Sequence, residues 1–326
     1  VDTGTHVVMG IALGGLATLD PAVGADPVTA QAVMIGAIAG SQAPDLDTVL
    51  KFRNNAKYIR NHRGITHSIP AVILWSVLIT GLLYWFYPGS DLLHLGMWTT
   101  IAVVLHVFVD IFNAYGTQAL RPFSHKWVAL GMINTFDPIL FAIYCVGILF
   151  WVFGTPAGYT FLTVFVIVFF YYILRFFMKR SIVKKIHQKY SEVEKIIISP
   201  TLKFRRWRVA IITKSHFYVG RSLNGKLTIL DEYDRVPVPQ TAIIQAAEED
   251  ENISAFLSFS PVYRWEVDEY TDHYEVKFID LRYRSKGHYP FVAIVQLDQN
   301  LNIVSSYTGW IFSEEKLRKK LDLLPE

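Results

Sequence analysis

The sequence predicts a membrane α-helical bundle, four long spans preceded by a short N-terminal helical hairpin, followed by a C-terminal cytoplasmic α+β domain. Three observations carry that prediction. Residues 1–178 contain eight Lys or Arg and eight Asp but no Glu, the first being Glu192, whereas 179–326 contain 23 basic and 20 acidic residues (31 − 8 and 28 − 8). Four stretches in the first part are long and apolar enough to span a bilayer core of ~30 Å, which needs about 20 residues. The loops between them are basic and non-basic in alternation. A single soluble domain with a large apolar core does not account for a Glu-free stretch of that length, so the chain divides into a membrane domain over 1–178 and a soluble domain over 179–326.

The first apolar segments, about 5–19 and 28–40, are rich in Gly and Ala and short for a span. They predict a tightly packed helical hairpin whose small residues permit close backbone approach. The long spans follow at 68–88, 93–112, 137–153 and 158–178, with Tyr84, Trp85, Tyr87 and Trp151 at their ends as interface anchors. Pro138 stands just inside the third, a position that suits helix initiation.

Orientation is read from the short loops. Lys51, Arg53, Lys57, Arg60 and Arg63 lie in 41–67, Arg121 and Lys126 in 113–136, and KRSIVKK follows residue 178. The connections near 20–27, 87–93 and 154–158 contain no Lys or Arg. Alternating spans then put 41–67, 113–136 and the C-terminal half in the cytoplasm. The start VDTGTHVVMG has neither a basic n-region nor a small-residue cleavage site, so no signal peptide is expected.

Beyond Phe177 a basic amphipathic helix is expected over 182–198. Strands are expected at 206–215, 274–284, 291–298 and 303–312, hairpin turns at 224–226 and 298–302, and helices at about 239–257 and 313–323. The lone cysteine, Cys145, forms no intramolecular disulfide. A net charge of +3 makes no case for nucleic acid, and no such partner is expected.

Polar residues interrupt the membrane domain at few places, and these concentrate on the predicted cytoplasmic side. His106 and Asp110, four apart on a predicted helix, share one face and can offer an imidazole nitrogen and a carboxylate oxygen to one cation. A hydrogen-bonded pair pinning two helices is the equal alternative, although a carboxylate in an apolar span costs a few kcal/mol unless paired. Asp45 and Asp47 end the second short segment, where the helix dipole disfavours negative charge, so a cation or Arg63 is expected beside them. His62 and His67 bracket Gly64 in HRGITHS, in which Thr66 and Ser68 also suit capping of the next span. His6, Asn113, Thr117 and Asp137 gain interest only from sharing that depth, an ordinary N-cap being the alternative for Asp137, and His125 is a site residue or, slightly favoured, an interface residue. Imidazole and carboxylate without thiolate suit Zn²⁺, Mn²⁺ or Fe²⁺.

Thr5-His6, the run Pro44 to Asp47, the run His62 to Ser68, and His106 to Asp110 followed by Tyr115 to Thr117 resemble the YdjM family. Its members are described as inner-membrane metal-dependent hydrolases, some of them LexA-associated. The resemblance covers about residues 3–178 and is most specific at His62 to Ser68. It implies a divalent metal, zinc first, and hydrolysis of an ester or phosphoester. The H-x-x-x-D element is also similar to one in secreted zinc-dependent phospholipases C, which implies a phosphoester or phospholipid substrate, although this chain lacks their dense run of further His ligands; the location at a membrane interface favours a lipid-linked or phospholipid ester.

The expected site therefore draws metal ligands from His6, Asp45, His67, His106 and Asp110, with His62 and Arg63 as catalytic residues and Arg63 binding an anion. A membrane regulator or scaffold whose C-terminal domain binds a cytosolic partner is the alternative. A transporter is disfavoured, because ionisable residues are nearly absent from the outer halves of the spans.

Overall fold

The structure, a computed structural model, describes residues 1–52 and 63–322. They build two compact units, one from Val1–Asp47, residues 63–181 and Ser199–Arg206, the other chiefly from Ile182–Ile198 and the chain beyond Trp207. His62, expected in the site, lies outside the described residues.

Aspartate starts most of the helices in the first unit. Asp2, Asp20 and Asp26 cap α1 (Thr3–Leu16), α2 (Pro21–Gly24) and α3 (Pro27–Gly40), each side chain accepting backbone N–H groups of the first turn. Two 3-10 segments, Ala43–Phe52 and Ile65–His67, lead to α4 (Ile69–Phe86), which Ser68 caps. Asp91 caps α5 (Leu92–Asp110) and Asp137 caps α6 (Pro138–Val152), after which comes α7 (Ala157–Lys189). Five of the eight aspartates before residue 178 are thus N-caps, and the other three are Asp45, Asp47 and Asp110. Capping needs a short side chain that reaches back to the first turn, which Asp supplies and Glu does not. The Glu-free composition therefore has a local cause besides the apolar surroundings.

Among the described residues three helices, α4, α5 and α7, are long and apolar enough to cross a membrane. The fourth expected span is a 15-residue helix, α6, about 22 Å long at 1.5 Å per residue against a core of ~30 Å. Asp137-Pro138 starts it, and Gly154 at φ +94° follows its C-cap. Exposed Ile73, Val77, Leu82, Trp85 and Phe86 on α4 are side chains that lipid accommodates without cost. α3 packs against both α1 and α5. The approach to α1 is close: a Cβ on Gly10 would stand 2.8 Å from Ile38 Cα, and one on Gly14 2.9 Å from Met34 Cα. Val109, Leu140, Tyr144, Phe161 and Val164 form a core joining α5, α6 and α7. Near it, Asp137 accepts from Tyr171 Oη at 2.8 Å, and buried Arg175 donates to the carbonyls of Met132 and Phe204.

The expected basic helix over 182–198 is only half present. α7 ends at Lys189, and Val193–Pro200 is strand β1, because the β-branched run Ile196–Ile198 favours an extended chain over helix. β1 joins β2 (Arg206–Thr213), β3 (His216–Leu223) and β4 (Lys226–Asp234) in a sheet of order β1-β2-β3-β4. Asn224 and Gly225, both at positive φ, make the two-residue turn that NGK predicts. In place of one helix over 239–257 there are two, α8 (Ala242–Glu248) and α9 (Glu251–Phe259), because Asp250 caps a new start. A second antiparallel sheet follows, with β5 (Tyr263–Glu269), β6 (His273–Asp280), β7 (Phe291–Asp298) and β8 (Ile303–Trp310) in sequence order. α8 and α9 pack on it through Ile244, Ile253 and Phe256, the last stacked on Phe291, and α10 (Glu314–Asp322) packs on β8.

Candidate metal centre

Four separate pieces of the first unit deliver polar side chains to one point. The first turns of α1 carry His6, and the 3-10 segment after α3 carries Asp45 and Asp47. The 3-10 turn before α4 carries His67, and the last turn of α5 carries His106 and Asp110. His6, His67, His106 and Asp110 have no exposed surface. Such burial is tolerable only for groups that are paired or ligated.

Asp45, His67, His106 and Asp110 each offer one ligand atom within a cluster no more than 4.8 Å across. His67 Nε2 lies 3.3 Å from His106 Nε2, 3.6 Å from Asp45 Oδ1 and 3.4 Å from Asp110 Oδ2. His106 Nε2 is 3.7 Å from each of the same two oxygens. An ion held tetrahedrally at about 2.0–2.2 Å separates its ligands by roughly 3.3–3.6 Å. The separations that involve the two imidazoles, 3.3–3.7 Å, fall at or just above that range.

The tautomers support the same assignment. His106 Nδ1 is 2.6 Å from the Ser41 carbonyl, which only accepts, so Nδ1 carries the hydrogen and a neutral ring presents its Nε2 lone pair. Thr66 Oγ1 donates to Asp47 Oδ2 at 2.8 Å, leaving its lone pair for His67 Nδ1 at 3.1 Å. His67 therefore also directs an Nε2 lone pair inward. Two imidazole lone pairs and two carboxylate oxygens face one another, and among the described residues neither Asp45 Oδ1 nor Asp110 Oδ2 accepts a hydrogen bond. Four acceptors at such distances repel unless positive charge lies among them. Burial lowers the His67 pKa and so keeps that ring neutral at pH 7. Neutral imidazole and ionised carboxylate are the ligating forms.

Arg63 closes one side. Its Nε is 3.2 Å from Asp110 Oδ2 and its Nη2 donates to the Val1 carbonyl at 2.9 Å. The Val1 amino group contacts Asp110 Oδ1. Arg63 takes φ +60°, held there as its N–H donates to Asp47 Oδ2 at 2.9 Å and its carbonyl accepts from Gln118 N at 3.0 Å. His6 stacks on His106 with ring centroids 3.7 Å apart, and its Nε2 is 3.4 Å from Asp110 Oδ1.

Of the five expected ligands, Asp45, His67, His106 and Asp110 converge, while His6 stands alongside on the other oxygen of Asp110. Asp47 is outside the four and orients Arg63 and Thr66 instead. Asp137 caps its helix and His125 is exposed. The sequence reading missed Ser41, which acts through a carbonyl and so has no side-chain signal. It also missed the orienting role of Thr66, whose position beside His67 admitted a cap reading; Ser68 supplies that cap.

The family model described as YdjM inner membrane protein matches residues 1–182. Models described as the YfhP middle domain and the YfhP C-terminal alpha/beta plait domain match 191–233 and 242–321. The protein YfhP of Bacillus subtilis (strain 168) is 66% identical over 324 residues, 99% of each chain. No solved structure matches.

Proposed function

The chain belongs to the YdjM inner membrane protein family, and from that premise we propose that it is a membrane-embedded metal-dependent hydrolase of an ester or phosphoester at the cytoplasmic interface. The observation that carries the proposal is the opposition of the His67 and His106 Nε2 lone pairs at 3.3 Å, with both Nδ1 hydrogens committed elsewhere. His67, His106, Asp45 and Asp110 hold the ion, with zinc first and manganese or iron as alternatives. A divalent ion there supplies Lewis acidity, acidifying water and polarising an ester or phosphoryl oxygen. Ser41 and Thr66 fix the two rings, and Asp47 anchors the loop that carries Arg63. Arg63 steadies Asp110 and retains Nη1, a buried donor without a partner among the described residues, for an anion.

The proposal includes four crossings, with α6 as the shortest, and the C-terminal half in the cytoplasm, as the loop charges favour. A Cys145→Ala background carrying Pro88→Cys or Lys126→Cys tests orientation: the two thiols are expected to label from opposite sides. Labelling of both from one side overturns the topology.

Full burial of four of the site's side chains favours a second reading, a regulator or scaffold in which the ion clamps helices and the C-terminal half binds a cytosolic partner. Turnover separates the two. Zinc-loaded protein in detergent is screened with phosphodiester, phosphomonoester and carboxyl-ester probes, beside His106→Ala. Hydrolysis that vanishes in the variant supports the enzyme. Metal binding without turnover of any probe supports the clamp.

A further inference from the structure

The loop between α5 and α6 carries an exposed apolar tip. Phe123 is 86% exposed and Leu120 51%, and Pro122 between them is exposed as well. Backbone bonds build the tip into a defined turn. Thr117 exchanges both backbone hydrogen bonds with Val128, at 3.1 and 3.0 Å, which closes the base of the loop. Beyond that pair, Gln118 Nε2 donates to the His125 carbonyl at 2.8 Å. Arg121 N donates to the Gln118 carbonyl and Ser124 N to the Leu120 carbonyl, both at 3.1 Å. A built turn that keeps Leu, Pro and Phe exposed carries a penalty in water that a bilayer removes.

Two contacts place this loop at the edge of the bilayer. Ile69 N donates to the Arg121 carbonyl at 3.2 Å. Ile69 is the first residue of α4, which is apolar enough to cross a membrane over its whole length, so it marks one boundary of the hydrocarbon. At the other end of the loop, Lys179 Nζ donates to the carbonyl of exposed Leu130. Lys179 and Arg180 end the apolar run of α7, another boundary point. Phe123 follows Arg121 by two residues, a reach of at most roughly 7 Å. The headgroup layer outside the hydrocarbon is about 5–8 Å deep on each side. The tip therefore stays within the depth that headgroups occupy. Charge fits the same surroundings: residues 111–136 include Arg121 and Lys126 but no Asp or Glu, and His125 and Lys126 are exposed.

We propose that the loop over Gln118–Lys126 is a membrane-surface anchor, in which Leu120 and Phe123 enter the boundary between headgroups and acyl chains while Arg121 and Lys126 hold the headgroup of an anionic bilayer lipid. Aromatic side chains favour that boundary, and basic side chains beside it draw anionic lipid. The anchor uses none of the metal ligands and stands apart from the hydrolase reading.

Single cysteines in the Cys145→Ala background, labelled with the environment-sensitive fluorophore NBD, test the anchor in the full chain reconstituted into vesicles of phosphatidylcholine and phosphatidylglycerol. Phe123→Cys and Leu120→Cys give two independent readings of the tip. Ile73→Cys, within α4, supplies the value in lipid, and Asn300→Cys, in the β7–β8 turn, the value in water. Both tip labels are expected to emit to the blue of the Asn300 label and to be quenched by lipid carrying a nitroxide near its headgroup. Quenching should be stronger with nitroxide phosphatidylglycerol than with nitroxide phosphatidylcholine, and Arg121→Gln or Lys126→Gln should each remove about fivefold of that preference. Tip labels that emit and quench as the Asn300 label does overturn the anchor. A blue shift without quenching by either lipid means that protein covers the tip, and overturns it too. Equal quenching by the two lipids overturns the choice of an anionic headgroup.

Discussion

His67 and His106, 39 positions apart in the chain, hold their Nε2 atoms 3.3 Å from each other, and the acceptors beside their Nδ1 atoms assign both ring hydrogens away from that gap. Ser41 and Thr66 take the Nδ1 hydrogens, and two carboxylate oxygens complete the acceptor set. The expected consequence is one equivalent of divalent metal in reconstituted wild-type protein, and loss of it in His106→Ala and in Asp110→Ala. Elemental analysis after size exclusion makes the measurement. Reconstituted wild type with metal content near zero removes the basis for the site.

Thr66 acts on the metal only through the tautomer of His67. Thr66→Val leaves that ring free to place its hydrogen on Nε2, and metal affinity is expected to fall by about 10–100-fold. Thr66→Ser, which keeps the hydroxyl, should stay near wild type. Competition with a fluorescent chelator reads both. Equal affinity in Val and Ser variants means that the hydroxyl does not set the ring.

Packing of α1 on α3 gives a stability prediction independent of chemistry. A Cβ on Gly14 falls 2.9 Å from Met34 Cα, where nothing can yield without moving the helix. Gly14→Val is expected to cost about 3 kcal/mol. Gly81 on α4 has nothing within 4 Å of an added Cβ, so Gly81→Ala should be neutral or gain about 0.5 kcal/mol from helix propensity. Thermal unfolding in detergent compares them, and equal melting points would contradict the close approach.

Acid should weaken the second unit through Asp231. Burial raises this carboxyl's pKa, but bonds from Arg284 and Tyr289 outweigh that and leave it below the ordinary value. A depressed carboxylate contributes its stability above about pH 4, the unfolded value, and loses it as pH falls through the folded one. Asp231→Asn is therefore expected to be less stable than wild type at pH 7, by about 1 kcal/mol given the partial exposure, with the gap closing below pH 4. Denaturant titrations at pH 7 and 3 measure it; a gap that widens on acidification reverses the sign and the explanation.

Much of the site was legible in the primary structure. An apolar domain admits ionisable residues only where they are satisfied, so His6, Asp45, His67, His106 and Asp110 stood out against a background almost without charge. The i, i+4 spacing of His106 and Asp110 already put them on one helix face. What was not legible followed from partners distant in sequence. Asp47 carries the same side chain as Asp45 two positions earlier, yet it bonds Arg63 and Thr66 while Asp45 meets the two rings. The break at Asp250 and the strand at Val193–Pro200 were missed because a cap and a β-branched run each overrode a longer apparent helix.

Composition and spacing by themselves determined that the chain belongs in a membrane, where three helices long and apolar enough to cross it fall, and which few polar side chains are candidates to bind an ion. Those follow from local physics: the cost of polar groups in lipid, the period of a helix, the reach of an aspartate to its own first turn. Only the tertiary structure decided which nitrogen of each imidazole faces inward and that Arg63 leans on Asp110. A hydrogen-bond partner 65 residues away, such as Ser41 for His106, leaves no periodic trace in the chain; it exists only once packing has brought the two backbones together.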